Sequence, residues 1–422
     1  MRYRKLLGLL LGAGVFLFAC SFFQPQPRVI EVTRTVKETV VVPSVSSPEL
    51  VDVLPSISLQ LPRTWHTATR LNDNRILLVG GGNGMDEQYA SVEIFDPESG
   101  RLIPAASLHT SRHEHSATLL QDNRVLVVGG YNYRQKWLSD AEIYNPAADT
   151  WMVMPPIYPH GVQHTATLLN DGRVLVVGGC IGSGICTERA EIFDPQTNSW
   201  TEATPLAAYR ASHNAVLLDD SRVLIAGGGG PSGVPTDGDA LIYEPLTDTW
   251  VATGPMVWQG AQAQMLKLSD GRVLVAGGIS ISEHLIVSAI TQIYDPASNT
   301  WTPADPLSQP RYANILVLLP DGQVMAVGGA HEYDYPVNYP NSHPWISSSF
   351  DLEIEIYDPL SDHWHVAGEL PQPVTYAAAA FLPDGRLWVT GGGAGHAIAT
   401  AWAETWLIKP TFLDQAEPTG TP

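Results

Sequence analysis

"DGRVLVVGG", Asp171 to Gly179, decides the fold of this chain, because near copies of it keep returning. They read DNRILLVGG ending at Gly81, DNRVLVVGG at Gly130, DSRVLIAGG at Gly228, DGRVLVAGG at Gly278 and DGQVMAVGG at Gly329. The first glycines of the seven pairs are Gly80, Gly129, Gly178, Gly227, Gly277, Gly328 and Gly391, at intervals of 49, 49, 49, 50, 51 and 63. A fixed period of about fifty residues is the mark of a propeller or an array.

Every period carries the same four strand signals in the same order. A short strand such as HTATLL (His164 to Leu169) is followed by a tight Asp-Gly turn and then by the unbroken apolar run before the glycines, which suits a strand covered on both faces. AEIFDP (Ala190 to Pro195) and its copies form the third strand, and a tryptophan opens the fourth: Trp151, Trp200, Trp250, Trp301 and Trp364 each stand 27 residues before the next first glycine. The diglycine permits a backbone conformation or a close approach that a Cβ would forbid, and Tyr and Trp fill the wedge between neighbouring sheets. The last period lacks a fourth strand, while Val53 lies 27 residues before Gly80 in the tryptophan slot. The spacing therefore predicts that Val51 to Leu54 completes the seventh blade and closes the ring without a free edge.

The diglycine after a hydrophobic run, then Tyr, then Trp six residues after the Asp-Pro aspartate, resembles the kelch repeat. The resemblance covers residues 50–410 and implies an all-β, seven-bladed kelch propeller with a galactose-oxidase-like central fold. Residues 411–422 read as a tail.

The 422 residues are 44% hydrophobic and 16% charged, a globular composition, and 23 basic against 43 acidic side chains give a formal charge of -20. That sign repels phosphate backbones, so nucleic acid is not an expected partner. Residues 1–19 have a basic start and an apolar run too short to span a bilayer, the layout of an export signal. Leu17-Phe18-Ala19-Cys20 resembles the lipobox of bacterial lipoproteins, which implies a lipid on Cys20, a membrane anchor and a location outside the membrane. Ordinary secretion, with Cys20 as a leftover thiol, is the alternative. Residues 20–49, Pro-flanked and without turn signals, read as an extended tether. Cys180 and Cys186 in CIGSGIC are read as a local disulfide of an exported protein; a metal site would need further ligands nearby.

Strand alternation puts all the long connections on one face of the ring, where a ligand should approach. Two loops there supply aromatic and polar candidates: Tyr131, Tyr133 and Trp137 in one, and His331, Tyr333, Tyr335, Tyr339, His343 and Trp345 in the long insertion of the sixth repeat. Such side chains stack on sugar rings or grip a protein surface. Arg63, Arg112, Arg210 and Arg311, each 17 residues before a first glycine, are candidates for an anion-binding rim on that face. His66, His115, His164 and His213 each stand 14 before the glycine; the register lapses to Ala263, Asn314 and Ala377, and the histidines read as structural rather than as a metal ring.

No phosphate loop, zinc-protease helix, nucleophile elbow or calcium loop is present. The expectation is a monomeric recognition module without cofactor, binding an extracellular glycan or protein. The resemblance leaves two enzyme alternatives, a sialic-acid mutarotase and a copper-radical oxidase of the galactose oxidase type, the second disfavoured because the cysteine it needs would be tied in the disulfide. A bare structural or adhesion unit is the third alternative.

Overall fold

The computed structural model describes residues 50–411 except 85–86, 156, 183–184, 230–239, 282–284, 332–348 and 395–400. The export signal, Cys20 and the tether lie outside the described residues, as does the tail beyond residue 411.

Seven four-stranded antiparallel sheets follow one another around an axis. Blade one consists of Thr67–Arg70, Ile76–Val79, Val92–Asp96 and Arg101–Ala105, ordered from the axis outward, and the next five repeat that order. Blade seven takes three strands from the end of the chain, Ala378–Phe381, Leu387–Thr390 and Thr405–Pro410, and its outer strand from the beginning, Val51–Pro55. Val51 faces Pro410 and Pro55 faces Trp406, so the ring closes where the empty tryptophan slot predicted. Among the described residues there is no α-helix.

The second strand of every blade is wholly buried because it lies between two neighbouring sheets. Its period of two divides the side chains between two wedges. Val125 and Val127 pack toward blade one with Leu77 and Val79, whereas Leu126 and Val128 pack toward blade three with Val174 and Val176. At the rim of the wedge the third-strand aromatic meets the outer tryptophan, as in Tyr144 and Trp151 at 5.0 Å and Tyr243 and Trp250 at 4.9 Å. Trp151 Nε1 then donates to Ala106 O of the preceding blade at 2.7 Å, so one residue both fills the wedge and ties it.

The glycine pair has the same double use. Gly178 has φ +67 and Gly179 φ +102, conformations that L side chains rarely adopt. Gly179 N–H donates to Arg210 O of blade four at 2.8 Å, and the equivalent bond recurs around the ring to its closure, Gly392 N–H to Arg63 O at 2.9 Å. The repeated phrase is therefore the joint between blades as well as their inner strand.

Candidate functional site

Before each inner strand the chain turns back toward the axis through one residue in the left-handed region: Trp65, Glu114, Gln163, Ser212, Gln262, Ala313 and Tyr376, with φ between 50 and 63. Bulky residues avoid this region, so seven equivalent instances mark a conformation imposed by the ring. Backbone bonds between neighbouring blades hold it, including Glu114 N–H to Trp65 O at 3.1 Å, Gln262 N–H to Ser212 O at 3.0 Å and Trp65 N–H to Tyr376 O at 3.0 Å. The seven side chains surround the mouth of an axial cavity of about 350 Å³ on the long-loop face.

The next residue lines the cavity in every repeat but the third, where His164 lies behind the lining. In blades one to four it is a histidine whose Nε2 meets a hydroxyl of the preceding blade: His66 with Thr390 at 2.7 Å, His115 with Thr67 at 3.1 Å, His164 with Ser116 at 2.9 Å, and His213 with Thr165 at 2.9 Å. Burial holds the imidazoles neutral, with the pKa of His66 and His164 lowered to about 3. The histidines are thus blade-to-blade fasteners, as the repeat register suggested. Their acid sensitivity has a definite sign. At neutral pH they are neutral both folded and unfolded; as pH falls below about 6.5 the unfolded chain takes up protons that the fold refuses, so stability is lost progressively toward pH 3. At about pH 5 each such histidine should cost the fold on the order of 2 kcal/mol. Thermal melts should fall from pH 7 to pH 5, and His164→Gln should flatten that slope; an equal slope in the variant would contradict this.

In blades five to seven Ala263, Asn314 and Ala377 replace the histidine, and the wall opens on that side. Asn214 Nδ2 donates to Ala263 O at 2.6 Å across the first gap. Asn314 is 5% exposed, and neither its amide nitrogen nor its amide oxygen has a partner. Tyr376 Oη donates to Gln262 Oε1 at 3.4 Å across the mouth. Burial, with Tyr312 and Glu114 nearby, pushes the Tyr376 phenol well above its usual range, so it stays a hydrogen-bond donor. Glu114 is the lone carboxylate of the lining.

From the mouth an aromatic ridge runs outward. Tyr376 packs on Trp65 at 5.1 Å, Trp65 stacks on His113 at 5.2 Å, and His113 meets Tyr131 at 5.5 Å. Tyr131 in turn stands edge-on to Tyr133 and Trp137. The predicted loop is therefore continuous with the cavity, though not with all its residues outward: Tyr131 is buried as the wedge beneath Tyr133, which is exposed, and Trp137, which is half-buried. His331 sits at the base of the long insertion with Nδ1 2.9 Å from Pro310 O. Tyr333, Tyr335, Tyr339, His343 and Trp345 lie outside the described residues.

The arginine rim needs correction. Arg63, Arg112 and Arg311 are fully buried, Arg210 nearly so, and each turns back into its own blade. Arg63 bonds Gly80 O at 2.8 Å and Glu93 at 2.7 Å; Arg112 bonds Gly129 O at 2.8 Å and Glu142 at 2.8 Å; Arg210 bonds Gly227 O at 2.7 Å. Arg311 lies between Asp351 and Glu355. Arg63, Arg112 and Arg311 neutralise third-strand carboxylates, and all four guanidiniums cap a diglycine carbonyl from within the blade, which turns them away from a ligand anion.

Cys180 and Cys186 are disulfide-bonded and close the hairpin that crowns blade three. Among the described residues, three His, Cys, Asp or Glu ligand atoms come within 4.8 Å of one another only at Asp351, Glu353 and Glu355, where Arg311 already supplies positive charge. A copper centre of the galactose oxidase kind does not fit the axis: the histidines spend Nε2 on hydroxyls, and their Cε1 edges pack against the first glycine of the preceding blade.

The sequence reading did not find Trp65, Gln262 or Tyr376. The one signal that pointed to the axis was the lapse of the histidine register at Ala263, Asn314 and Ala377.

Comparison with known proteins agrees with this architecture. A family model described as the KLHDC2/KLHL20/DRC7 Kelch-repeats domain matches residues 65–263. Kelch-like protein 25 of Xenopus tropicalis is 28% identical over 109 residues, which are 26% of this chain and only 16% of that relative. Among solved structures, one described as a novel fungal alcohol oxidase with catalytic diversity among the AA5 family, in complex with copper, superposes with a TM-score of 0.69. It covers 88% of this chain and 79% of its own at 15% identity, a likeness of fold alone. Repeat, closed ring and likenesses together make this chain a kelch-repeat seven-bladed β-propeller with the galactose-oxidase-like fold.

Proposed function

We propose that the propeller is a non-catalytic recognition module, held outside the membrane by a lipid on Cys20, that binds an extracellular glycan as a monomer. The observation that carries this is the continuity of an amide-lined axial cavity with an aromatic ridge, from Tyr376 through Trp65 and His113 to Tyr133 and Trp137. Apolar ring faces stack on the C–H faces of sugars while Gln, Asn and Tyr groups take up hydroxyls, and a cavity of about 350 Å³ accommodates one saccharide unit. The disulfide on the same face accords with an oxidising compartment.

The test is a glycan-array screen followed by titration of the best ligand. Trp65→Ala removes the stacking platform at the mouth, and its affinity should fall about thirtyfold, or roughly 2 kcal/mol, the scale of a central interface anchor. A folded protein silent on the array would replace the glycan by a protein partner, to be sought by cross-linking through the same ridge.

A further inference from the structure

Three of the four fastening histidines, His66, His115 and His213, give the cavity a closed side, and the three substituted repeats give it an open one. Blades five to seven depart from the histidine register together at Ala263, Asn314 and Ala377, and all three departures line the cavity. Two of them simply remove bulk. The third leaves a buried amide, 5% exposed, with donor and acceptor both unpaired. An unpaired buried amide is costly, and whereas the histidine of the four other blades pairs its Nε2 with a hydroxyl and leaves only Nδ1 without a partner, Asn314 pairs neither of its polar atoms. Asn314 is therefore placed for a ligand that brings the missing partners.

The charges around it restrict that ligand. Burial keeps the wall histidines uncharged, the buried Arg63, Arg112 and Arg311 are turned away and paired with carboxylates, Arg210 is turned back onto Gly227 O, and Glu114 is the one charged group of the lining. The whole chain carries a formal charge of -20. An acidic sugar would find no cation here and would face Glu114. A neutral sugar presenting two adjacent hydroxyls would find both halves of the amide, one hydroxyl donating to Oδ1 and the other accepting from Nδ2.

From this we infer that Asn314 is the specificity residue of the axial cavity and seats the vicinal hydroxyls of an uncharged terminal sugar. The inference rests on the glycan reading and deepens it. It is tested on the full-length protein by titrating neutral oligosaccharides and their sialylated or uronate-capped counterparts against wild type, Asn314→Ala and Asn314→His. The histidine variant places at this register the side chain that blades one to four carry, with the Gln264 amide of blade five facing it where those blades meet a hydroxyl, so it should fold while filling the seat. Neutral glycans should bind wild type and bind both variants about tenfold or more weakly, with melting temperatures preserved in Asn314→His. Unchanged neutral-glycan affinity in both folded variants would overturn the role of Asn314 and leave the glycan reading standing, as would a wild-type preference for the acidic ligands. Absence of any glycan binding by folded wild type would overturn the glycan reading and this inference with it.

Discussion

Arg112→Met is expected to destabilise the propeller by about 3–5 kcal/mol, the cost of stranding a buried charge. Arg112 and Glu142 are both inaccessible, and the guanidinium bonds Glu142 Oε1 at 2.8 Å, Asp140 Oδ2 at 2.9 Å and Gly129 O at 2.8 Å. Methionine keeps much of the volume but leaves the Glu142 carboxylate with the backbone amides of His109 and Thr110 and the His109 ring as its remaining partners. The measurement is chemical denaturation at neutral pH of Arg112→Met and of the pair Arg112→Met with Glu142→Gln. The double variant should recover a large part of the loss, because a neutral amide needs no counter-charge. The chain contains its own precedent. In blade five Gly260 stands at the arginine register, and the acid is Gln292, whose Nε2 donates to Trp258 O at 2.7 Å and whose Oε1 accepts from Val257 N–H at 2.9 Å. A single variant as stable as wild type would show that the ion pair contributes nothing to the blade.

The second large effect is expected at the joint between blades three and four, where Gly178→Ala should cost about 3 kcal/mol or more. Gly178 has φ +67, and an ideal Cβ there would meet the carbonyl oxygen of Arg210 well inside 3.0 Å, with His213 Cε1 at 3.1 Å beyond it. Neither neighbour is a flexible tip. The carbonyl accepts the blade-to-blade bond from Gly179 N–H, and the imidazole is fastened to Thr165. Relief of the clash therefore requires the two blades to part. Gly172→Asn in the tight turn is the contrasting variant. Gly172 also has a positive φ, of 89, but the equivalent turns use Asn74 at φ 70, Asn123 at φ 69 and Ser221 at φ 73, and its nearest atoms belong to the side chain of Gln121. That substitution should move stability by less than about 1 kcal/mol. Comparable losses in the two variants would mean that φ alone, not the interblade approach, explains the paired glycines.

The arginines and the axis show where reading the chain reached its end. Arg63 and Arg112 have the right spacing for a rim, and nothing local says whether a long side chain points to solvent or folds back. Their direction is decided by Glu93 and Glu142, thirty residues further on, which come within reach only when the third strand pairs with the second. The cavity is harder still. Trp65, Gln262 and Tyr376 become neighbours through the closure of a ring, and the ridge that leads from them to Tyr133 crosses blades seven, one and two. Tyr131 was singled out as a contact for its type and loop, yet the same aromatic packing that builds the ridge buries it.

What the sequence by itself determined is the blade: strand order, turns, diglycine joints, the Tyr-Trp wedge and the borrowed strand at Val51 to Leu54, because each depends on spacing set by a repeat of about fifty residues. What the tertiary structure alone decided is the axial cavity, the burial of the arginines and the unpaired amide of Asn314. These depend on side chains from separate repeats meeting at one axis, and the charge and hydrogen-bond partners that a residue finds there are not properties of its neighbours in the chain.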